Sequence, residues 1–201
     1  MRFKLAAVIL AAGASRRYQG GNKLLADLGN GPLIRIVAEH VLQSVVENIV
    51  VVTGNDRWSI EIALKGFPLR FAHNENWQNG IGGSIALGIS SVATAADGAF
   101  IVLGDTPFVR GELLDVLGEA FDQTDGESIV FPVLPDGVQR NPVLWPREFF
   151  PQLVRLSGDK GAKSLLGRYA SRCKAVSGFP EKAFNDIDTR DDLHAIRELT
   201  R

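Results

Sequence analysis

Short apolar runs alternate along the chain with segments whose apolar residues recur at helical spacing. The most apolar runs contain β-branched residues and no charge, which is typical of strands buried on both faces of a parallel sheet. The pattern predicts strands at residues 5–10, 49–53, 71–74, 99–103 and 128–133, and helices at residues 33–45, 57–65, 85–91 and 110–123. This alternation of strand and helix predicts βαβ units around a mostly parallel sheet.

The segment that follows the first predicted strand has the composition of a phosphate-binding loop. Small residues occupy positions 11–15, and the cations Arg16, Arg17 and Lys23 follow them. Small side chains let a ligand approach backbone N–H groups, which bind anions. Neither the P-loop pattern nor the dinucleotide fingerprint G-x-G-x-x-G fits the segment. It therefore predicts a polyphosphate site of another kind.

A second glycine-rich segment, residues 80–84, precedes the third predicted helix. Glycines at positions 80, 82 and 83 permit close approach of a ligand, and Ser84 is a plausible helix cap. The residues alone leave two roles open, contact with a nucleotide or capping of the helix.

Carboxylates at three places are candidate functional groups. Asp105 follows the strand at residues 99–103, and ligands of α/β proteins bind at the carboxyl ends of parallel strands. Asp159 has two equally supported roles, as a ligand-binding carboxylate or as a negative charge at the start of a helix. Thr189 and Asp192 have the spacing of a capping box, so the acidic residues around Asp188 can serve a helix start alone.

Composition excludes several classes of protein. The 201 residues suffice for one domain or at most two small ones, and a net charge of −1 gives no reason to expect nucleic-acid binding. Cys173 is the single cysteine, so there is no internal disulfide. No apolar run approaches the roughly 20 residues of a membrane helix. Residues 1–4 lead directly into the first strand without a signal peptide, so we expect a cytoplasmic enzyme.

The first loop resembles the nucleotide-binding signature of the nucleoside-triphosphate transferase superfamily. It reads L-A-A-G-x-S-x-R, an aromatic residue and, after Gln19, G-x-x-K. It is most similar to the MobA-like family of molybdenum-cofactor nucleotidylyltransferases, whose pattern is LA(A/G)GxSxRMG…K, and within it to the cytidylyltransferases. Tyr18 and Gln19 stand where those proteins usually have Met and Gly.

Five further elements resemble the family in the expected order, so that the likeness spans residues 8–193. They are NxxWxxGMGSSxxxG at residues 74–88, GDxP at 104–107, GHPVLF near 140–145, LxGDxGAR at 156–163 and VDxDTPxDL at 185–193. Asn141 replaces the usual His of the third of these elements, and Arg190 replaces the Pro of the last.

The resemblance implies a Rossmann-like three-layer α/β/α sandwich with a mostly parallel central sheet, of the nucleotide-diphospho-sugar transferase type. It implies a single domain, residues 1–201, with a nucleotide-binding half at about 1–105 and an acceptor-binding half at about 106–201. The implied reaction is Mg²⁺-dependent transfer of a nucleotidyl group to a phosphorylated acceptor, with release of pyrophosphate. Molybdopterin is the implied acceptor, and a molybdoenzyme is a potential partner. Ala12 implies CTP, because GTP-using members have Gly at that position.

The resemblance also assigns roles to individual residues. Arg17 and Lys23 are the catalytic cations, Asp105 and Asp188 the Mg²⁺ ligands, and Asn141 and Asp159 acceptor-binding residues. Asp191 and Asp192 are structural. The implied nucleotide-binding residues are Leu10, Ala11, Ala12, Gly13, Ala14, Ser15, Lys23, Gly82, Gly83 and Ser84.

Three other functions stay open at this point. A sugar-phosphate or alditol-phosphate nucleotidylyltransferase would share the first loop and differ in the acceptor half. A non-catalytic protein that delivers molybdenum cofactor would bind the same ligands, although two retained carboxylates argue against a dead site. An NAD(P)H-dependent reductase is a further alternative, but the dinucleotide fingerprint is missing.

Overall fold

The first strand lies inside the sheet, and its side chains enter two apolar cores in turn. Leu5, Ala7 and Ile9 are buried in one hydrophobic cluster, and Ala6 and Val8 are buried in the other. Successive side chains of a strand point to opposite faces of a sheet, so both faces must be covered. The computed structural model describes residues 1–18 and 21–193.

Seven strands and six helices are present in the described part of the chain. The strands are β1 (Leu5–Ala11), β2 (Asn48–Thr53), β3 (Arg70–His73), β4 (Gly98–Leu103), β5 (Ile129–Pro132), β6 (Val143–Pro146) and β7 (Cys173–Val176). The helices are α1 (Leu33–Leu42), α2 (Arg57–Ala63), α3 (Ile81–Val92), α4 (Gly111–Gln123), α5 (Phe150–Leu153) and α6 (Lys163–Leu166).

The strands form one sheet in the order β3-β2-β1-β4-β6-β5-β7. All neighbouring pairs are parallel except those of β6, which runs antiparallel to β4 and to β5. Helices α1, α2 and α4 contribute to the core on one face, and α3 and α5 contribute to the core on the other. The predicted three-layer α/β/α sandwich with a mostly parallel sheet is therefore confirmed.

The five predicted strands and four predicted helices all exist, with ends shifted by a few residues. The prediction lacked β6, β7, α5 and α6. The strand β7 has no continuous buried run, because Lys174 and Ala175 are exposed. The helices α5 and α6 are four residues long, which is too short to give a helical period.

The register of β1 and β4 brings two of the predicted site segments together. Leu10 of β1 lies beside Leu103 of β4, so the loops that follow these strands leave the sheet at the same edge. The Gly104 N–H donates to the Leu10 carbonyl at 3.1 Å. A Cβ on Gly104 would lie 2.7 Å from that same oxygen, so only glycine allows this approach. Ligand sites of parallel α/β sheets lie at this edge.

The described helices are short. Among residues 1–18 and 21–193, none combines the length and apolar character needed to cross a bilayer.

Candidate functional site

A cavity of about 350 Å³ opens where β1 and β4 end. Its walls are the loop after β1, the segment Gly104–Asp105, the region from Trp77 to Ser84, and Asp159. Several predicted nucleotide-binding residues line it, namely Leu10, Ala12, Gly13, Ala14, Ser15, Lys23 and Ser84. The cavity thus joins the two glycine-containing loops that the sequence singles out.

Three of the predicted nucleotide-binding residues do not line this cavity. The Ala11 side chain is buried in the core cluster beneath the loop. Gly82 and Gly83 belong to the first turn of α3. Their contact with a nucleotide stays a prediction.

The loop after β1 is held by a side-chain network at its base. Ser15 has a left-handed backbone conformation, with φ of 50°. Its hydroxyl donates to Asn22 Oδ1 and accepts from the Lys23 backbone N–H, each at 3.1 Å. The buried Asn22 also accepts from the Leu24 N–H at 3.0 Å, which caps a short 3-10 turn at Lys23–Leu25. The network fixes the backbone from which the Lys23 side chain extends.

Lys23 lies between the two carboxylates that the resemblance names as metal ligands. Its Nζ is 2.6 Å from Asp105 Oδ2 and 2.6 Å from Asp188 Oδ1. The Lys23 side chain is only 14% exposed, and the two carboxylates are 21% and 20% exposed. Burial lowers the pKa of the Lys23 ammonium, but the charges and hydrogen bonds of Asp105 and Asp188 outweigh burial and hold that pKa above its usual range.

Arg17 and Arg16 occupy different positions than the sequence suggests. Arg17 forms an ion pair with Asp188 Oδ2 at 2.7 Å, but its side chain is 78% exposed. It does not line the cavity, whereas Arg16 does. An exposed pair of this kind contributes little to stability, so the contact with Asp188 leaves the Arg17 side chain able to turn toward an anion.

The segment that carries Asp188 is fixed by backbone and capping contacts. The Ile187 N–H donates to the Asp105 carbonyl at 3.2 Å, and the Ile187 side chain is fully buried. Asp192 Oδ2 accepts from the backbone N–H groups of Asp188 and Thr189, while the Asp192 N–H donates to Thr189 Oγ1. The predicted capping box is confirmed. The pKa of Asp192 lies below its usual range. The main cause is the hydrogen bond with the Thr189 side chain, and the backbone N–H groups of Thr189 and Asp188 add to it.

The two carboxylates fit a divalent cation shared with a ligand. Asp105 Oδ1 is buried and finds no hydrogen-bond partner among the described residues. Within the described part of the chain no group of three or more His, Cys, Asp or Glu side chains forms a complete metal cage. Mg²⁺ commonly binds through one or two carboxylates together with substrate phosphates and water. The donor set therefore suits Mg²⁺ bound with a phosphate.

The second glycine-rich loop packs against the segment around Gly158, and this packing requires two of its glycines. The Gly82 N–H donates to the Gly158 carbonyl at 2.9 Å. A Cβ on Gly80 would lie 2.3 Å from that carbonyl group, and one on Gly82 would lie 2.7 Å from the Ser157 nitrogen. A Cβ on Gly83 would meet only Asn74 Nδ2 at 3.6 Å. Close approach of backbone thus requires glycine at positions 80 and 82, whether or not a ligand also lies there.

Ser84 is not the helix cap that the sequence suggests. Helix α3 begins at Ile81 with Gly80 at the cap position, so Ser84 lies inside the helix. Its buried hydroxyl accepts from Asn74 Nδ2 at 3.0 Å, and Asn74 Oδ1 accepts from the Asn76 N–H. This pair fixes the cavity wall around Trp77.

The two predicted acceptor-binding residues lie in different places. Asp159 lines the first cavity. Asn141 lines a second cavity of about 390 Å³. The second cavity contains residues that the sequence analysis left without a role, namely Thr106, Arg140 and Lys163. Arg140 and Lys163 belong to the family-like elements at residues 140–145 and 156–163, and this membership is the sequence feature that could have indicated a role for them. Leu103 lines both cavities, which places them side by side.

The fold and the two-carboxylate site define an α/β protein with a candidate ligand site at the carboxyl ends of β1 and β4. The family model of the MobA-like NTP transferase domain matches residues 7–173, and the chain belongs to this family. It is 30% identical, over 98% of both chains, to the molybdenum cofactor guanylyltransferase of Cereibacter sphaeroides.

Solved structures share the fold. Rv0371c from Mycobacterium tuberculosis H37Rv is 25% identical, with a TM-score of 0.82 over 98% of this chain and 99% of that one. The CMP:2-keto-3-deoxy-manno-octonic acid synthetase solved with CTP is 16% identical, with a TM-score of 0.71 over 98% of both chains. The predicted nucleotide-diphospho-sugar transferase fold is confirmed.

Proposed function

We propose that this protein is a nucleotidyltransferase that transfers a nucleotidyl group from a nucleoside triphosphate to molybdopterin and releases pyrophosphate. The observation that carries the proposal is the position of Lys23, which lines the cavity together with Asp105 and lies 2.6 Å from both Asp105 and Asp188. Membership of the MobA-like family and the likeness to a molybdenum cofactor guanylyltransferase support the same reaction.

The two adjacent cavities suit two substrates. The first has the backbone of residues 12–15 on one side, where N–H groups can bind a triphosphate. The second has Arg140 and Lys163 in its wall, which suit a phosphorylated acceptor. Asp105 lines the first cavity and the next residue, Thr106, lines the second. The acceptor phosphate would therefore meet the α-phosphorus beside Asp105.

This division refines the two halves that the resemblance implies. The first cavity includes Asp159, and the carboxylate pair includes Asp188, although both residues belong to the later half. We therefore propose one domain whose halves both contribute to the nucleotide site, rather than two separate binding units.

The chemistry requires positioning and charge neutralisation more than proton transfer. An oxygen of the acceptor phosphate attacks the α-phosphorus, and the bond to the bridging oxygen of pyrophosphate breaks. The second pKa of a phosphate monoester is about 6, so the acceptor needs no general base at pH 7. Lys23 and Arg17 would bind the charge that develops on the leaving pyrophosphate. A Mg²⁺ ion held by Asp105 and Asp188 would polarise the phosphate oxygens.

Two observations disagree on whether the nucleotide is CTP or GTP. The resemblance, through Ala12, implies CTP. A relative that matches over 98% of both chains is a guanylyltransferase and so does not support CTP. A match along the whole chain carries more weight than one position, and we propose GTP as the substrate. Ala12 lines the cavity and packs close to Gly54, so Ala12→Gly tests whether its methyl group takes part in the choice of base.

A substrate panel tests the proposed function. The purified protein is incubated with Mg²⁺, either GTP or CTP, and either molybdopterin or a sugar phosphate, and pyrophosphate release and product mass are measured. We expect release with GTP and molybdopterin together, and none when either is omitted. Pyrophosphate release with a nucleotide and a sugar phosphate, but not with a nucleotide and molybdopterin, would show a sugar-phosphate nucleotidylyltransferase. Nucleotide binding without release of pyrophosphate would show a non-catalytic delivery protein. In a separate fluorescence titration, binding of NADPH without binding of GTP or CTP would show a reductase.

A further inference from the structure

We infer that Lys23 is an internal counter-ion that competes with the divalent cation for Asp105 and Asp188, so that metal and triphosphate must bind together. This inference rests on the proposed function, because it concerns the same nucleotide site. It adds a gating role to a residue that would otherwise only bind phosphate.

The distances place Lys23 in competition with a cation at this carboxylate pair. One ammonium group lies 2.6 Å from an oxygen of each carboxylate, in the space between them. A cation bound by both carboxylates would lie close to this ammonium group, and two neighbouring positive charges repel strongly in a partly buried site. Lys23 must therefore leave the carboxylates when a divalent cation bridges them.

The surrounding structure allows the side chain to move while its backbone stays fixed. The Lys23 N–H is bound to Ser15 Oγ, and Asn22 caps the turn that begins at Lys23. The Nζ group lies at the end of a flexible four-carbon chain. Lys23 also lines the cavity in which the triphosphate would lie, so a phosphate oxygen is the natural next partner for the ammonium.

Arg17 cannot replace Lys23 in this role. Among residues 1–18 and 21–193 it forms an ion pair with Asp188 and none with Asp105, and its side chain is 78% exposed, so solvent screens its charge. Asp105 Oδ1 has no hydrogen-bond partner among the described residues even with Lys23 in place. Lys23 thus bonds one carboxylate oxygen of Asp105, Oδ2, and the other oxygen, Oδ1, can still bind a cation.

The coupling has a thermodynamic consequence. A triphosphate that draws Lys23 away leaves the carboxylates free for the metal, and by linkage the metal strengthens triphosphate binding by the same factor. Couplings of this kind commonly amount to about 5–150-fold in affinity. Removing the ammonium should raise metal affinity in the absence of nucleotide and reduce the coupling.

The test measures Mn²⁺ binding by the loss of the free-ion electron paramagnetic resonance signal, without acceptor and without turnover. Wild-type protein, Lys23→Met and Lys23→Gln are each titrated with and without a non-hydrolysable GTP analogue. Lys65→Met is the control, because Lys65 is exposed and lies just beyond α2. Circular dichroism and thermal melting verify that each variant is folded.

We expect the analogue to tighten Mn²⁺ binding to wild type and to Lys65→Met by at least about tenfold. The Lys23 variants should bind Mn²⁺ about tenfold more tightly than wild type without nucleotide, and the analogue should add little. Adding Asp105→Asn to Lys23→Met should abolish the gain. Equal or weaker Mn²⁺ binding by both folded Lys23 variants would overturn the inference. Because no transfer is measured, these results are independent of whether molybdopterin is the acceptor.

Discussion

The backbone N–H of Ile187 donates to the backbone carbonyl of Asp105 at 3.2 Å, which joins the end of β4 to a segment more than eighty residues later. The bond places Asp188 beside Asp105, with Lys23 bound to both. A carboxylate pair held by backbone contacts is preorganised for a cation, because its geometry does not depend on flexible side chains alone.

The capping box should control the position of Asp188. Asp192→Asn and Thr189→Ala remove hydrogen bonds at this turn and should lower the free energy of unfolding by about 1 kcal/mol each. Mn²⁺ affinity in the presence of nucleotide should fall as well, since Asp192 binds the Asp188 N–H. Urea denaturation and Mn²⁺ titration measure the two effects. Asp191→Asn is the matched control, and an equal loss in that exposed position would contradict the assignment.

The glycines of α3 should differ in their tolerance of a methyl group. Gly82→Ala would place a Cβ 2.7 Å from the Ser157 nitrogen and should destabilise the protein by about 1–3 kcal/mol. Gly83→Ala meets only a side-chain amide at 3.6 Å and should be neutral, or stabilising by up to about 1 kcal/mol through helix propensity. Denaturant titration of both variants checks this. A similar loss in the two would show that the packing on Ser157 is not the reason for glycine.

Lys23 and Asp105 should be required for turnover. Lys23→Ala and Asp105→Asn each remove a charge that the proposed function places beside the phosphates, and we expect kcat to fall roughly 10²–10³-fold, as when one preorganised donor is removed from an active site. Pyrophosphate release measures kcat. Asp136→Asn, in an exposed turn, is the control. Full turnover in either variant would refute its catalytic assignment.

His40 should make stability depend on pH. Burial, and then the charge of Arg110, lower the pKa of this histidine in the folded protein below its usual 6.5. The unfolded chain therefore binds the proton more readily, and the free energy of unfolding should decrease as pH falls through 6.5, then level off below the folded pKa. Urea denaturation of wild type and His40→Gln at pH 7.5 and 5.5 tests this sign. The variant should lose less stability between the two pH values, and an equal loss would contradict it.

The sequence predicted β1, β2 and β4 because their residues are apolar on both faces, whereas the buried strand β6 is only four residues long and was missed. β1, β2 and β4 bury every residue or nearly every one, so continuous apolar runs mark them. The strand β7 lies at the sheet edge and is half exposed, so its local composition gives no such mark. Its pairing with β5 depends on contacts made by distant parts of the chain.

The candidate site was predictable only in part, for a similar reason. Asp105 follows a buried strand, and that position alone indicates a ligand site. Asp188 was distinguished from the nearby capping residues only by family resemblance. The contacts of Lys23 span 82 and 165 residues of sequence, so no local pattern could reveal them. The packing of Gly82 on Ser157 is likewise a tertiary contact that the local sequence does not reveal.

The most direct test is a crystal structure of the protein with a non-hydrolysable GTP analogue and Mn²⁺, using the anomalous signal of the metal. We predict one anomalous peak that contacts Asp105, Asp188 and a phosphate oxygen, with Lys23 moved from the carboxylates onto the triphosphate. A bound nucleotide with Lys23 still between the two carboxylates, or a metal that touches neither of them, would contradict the account.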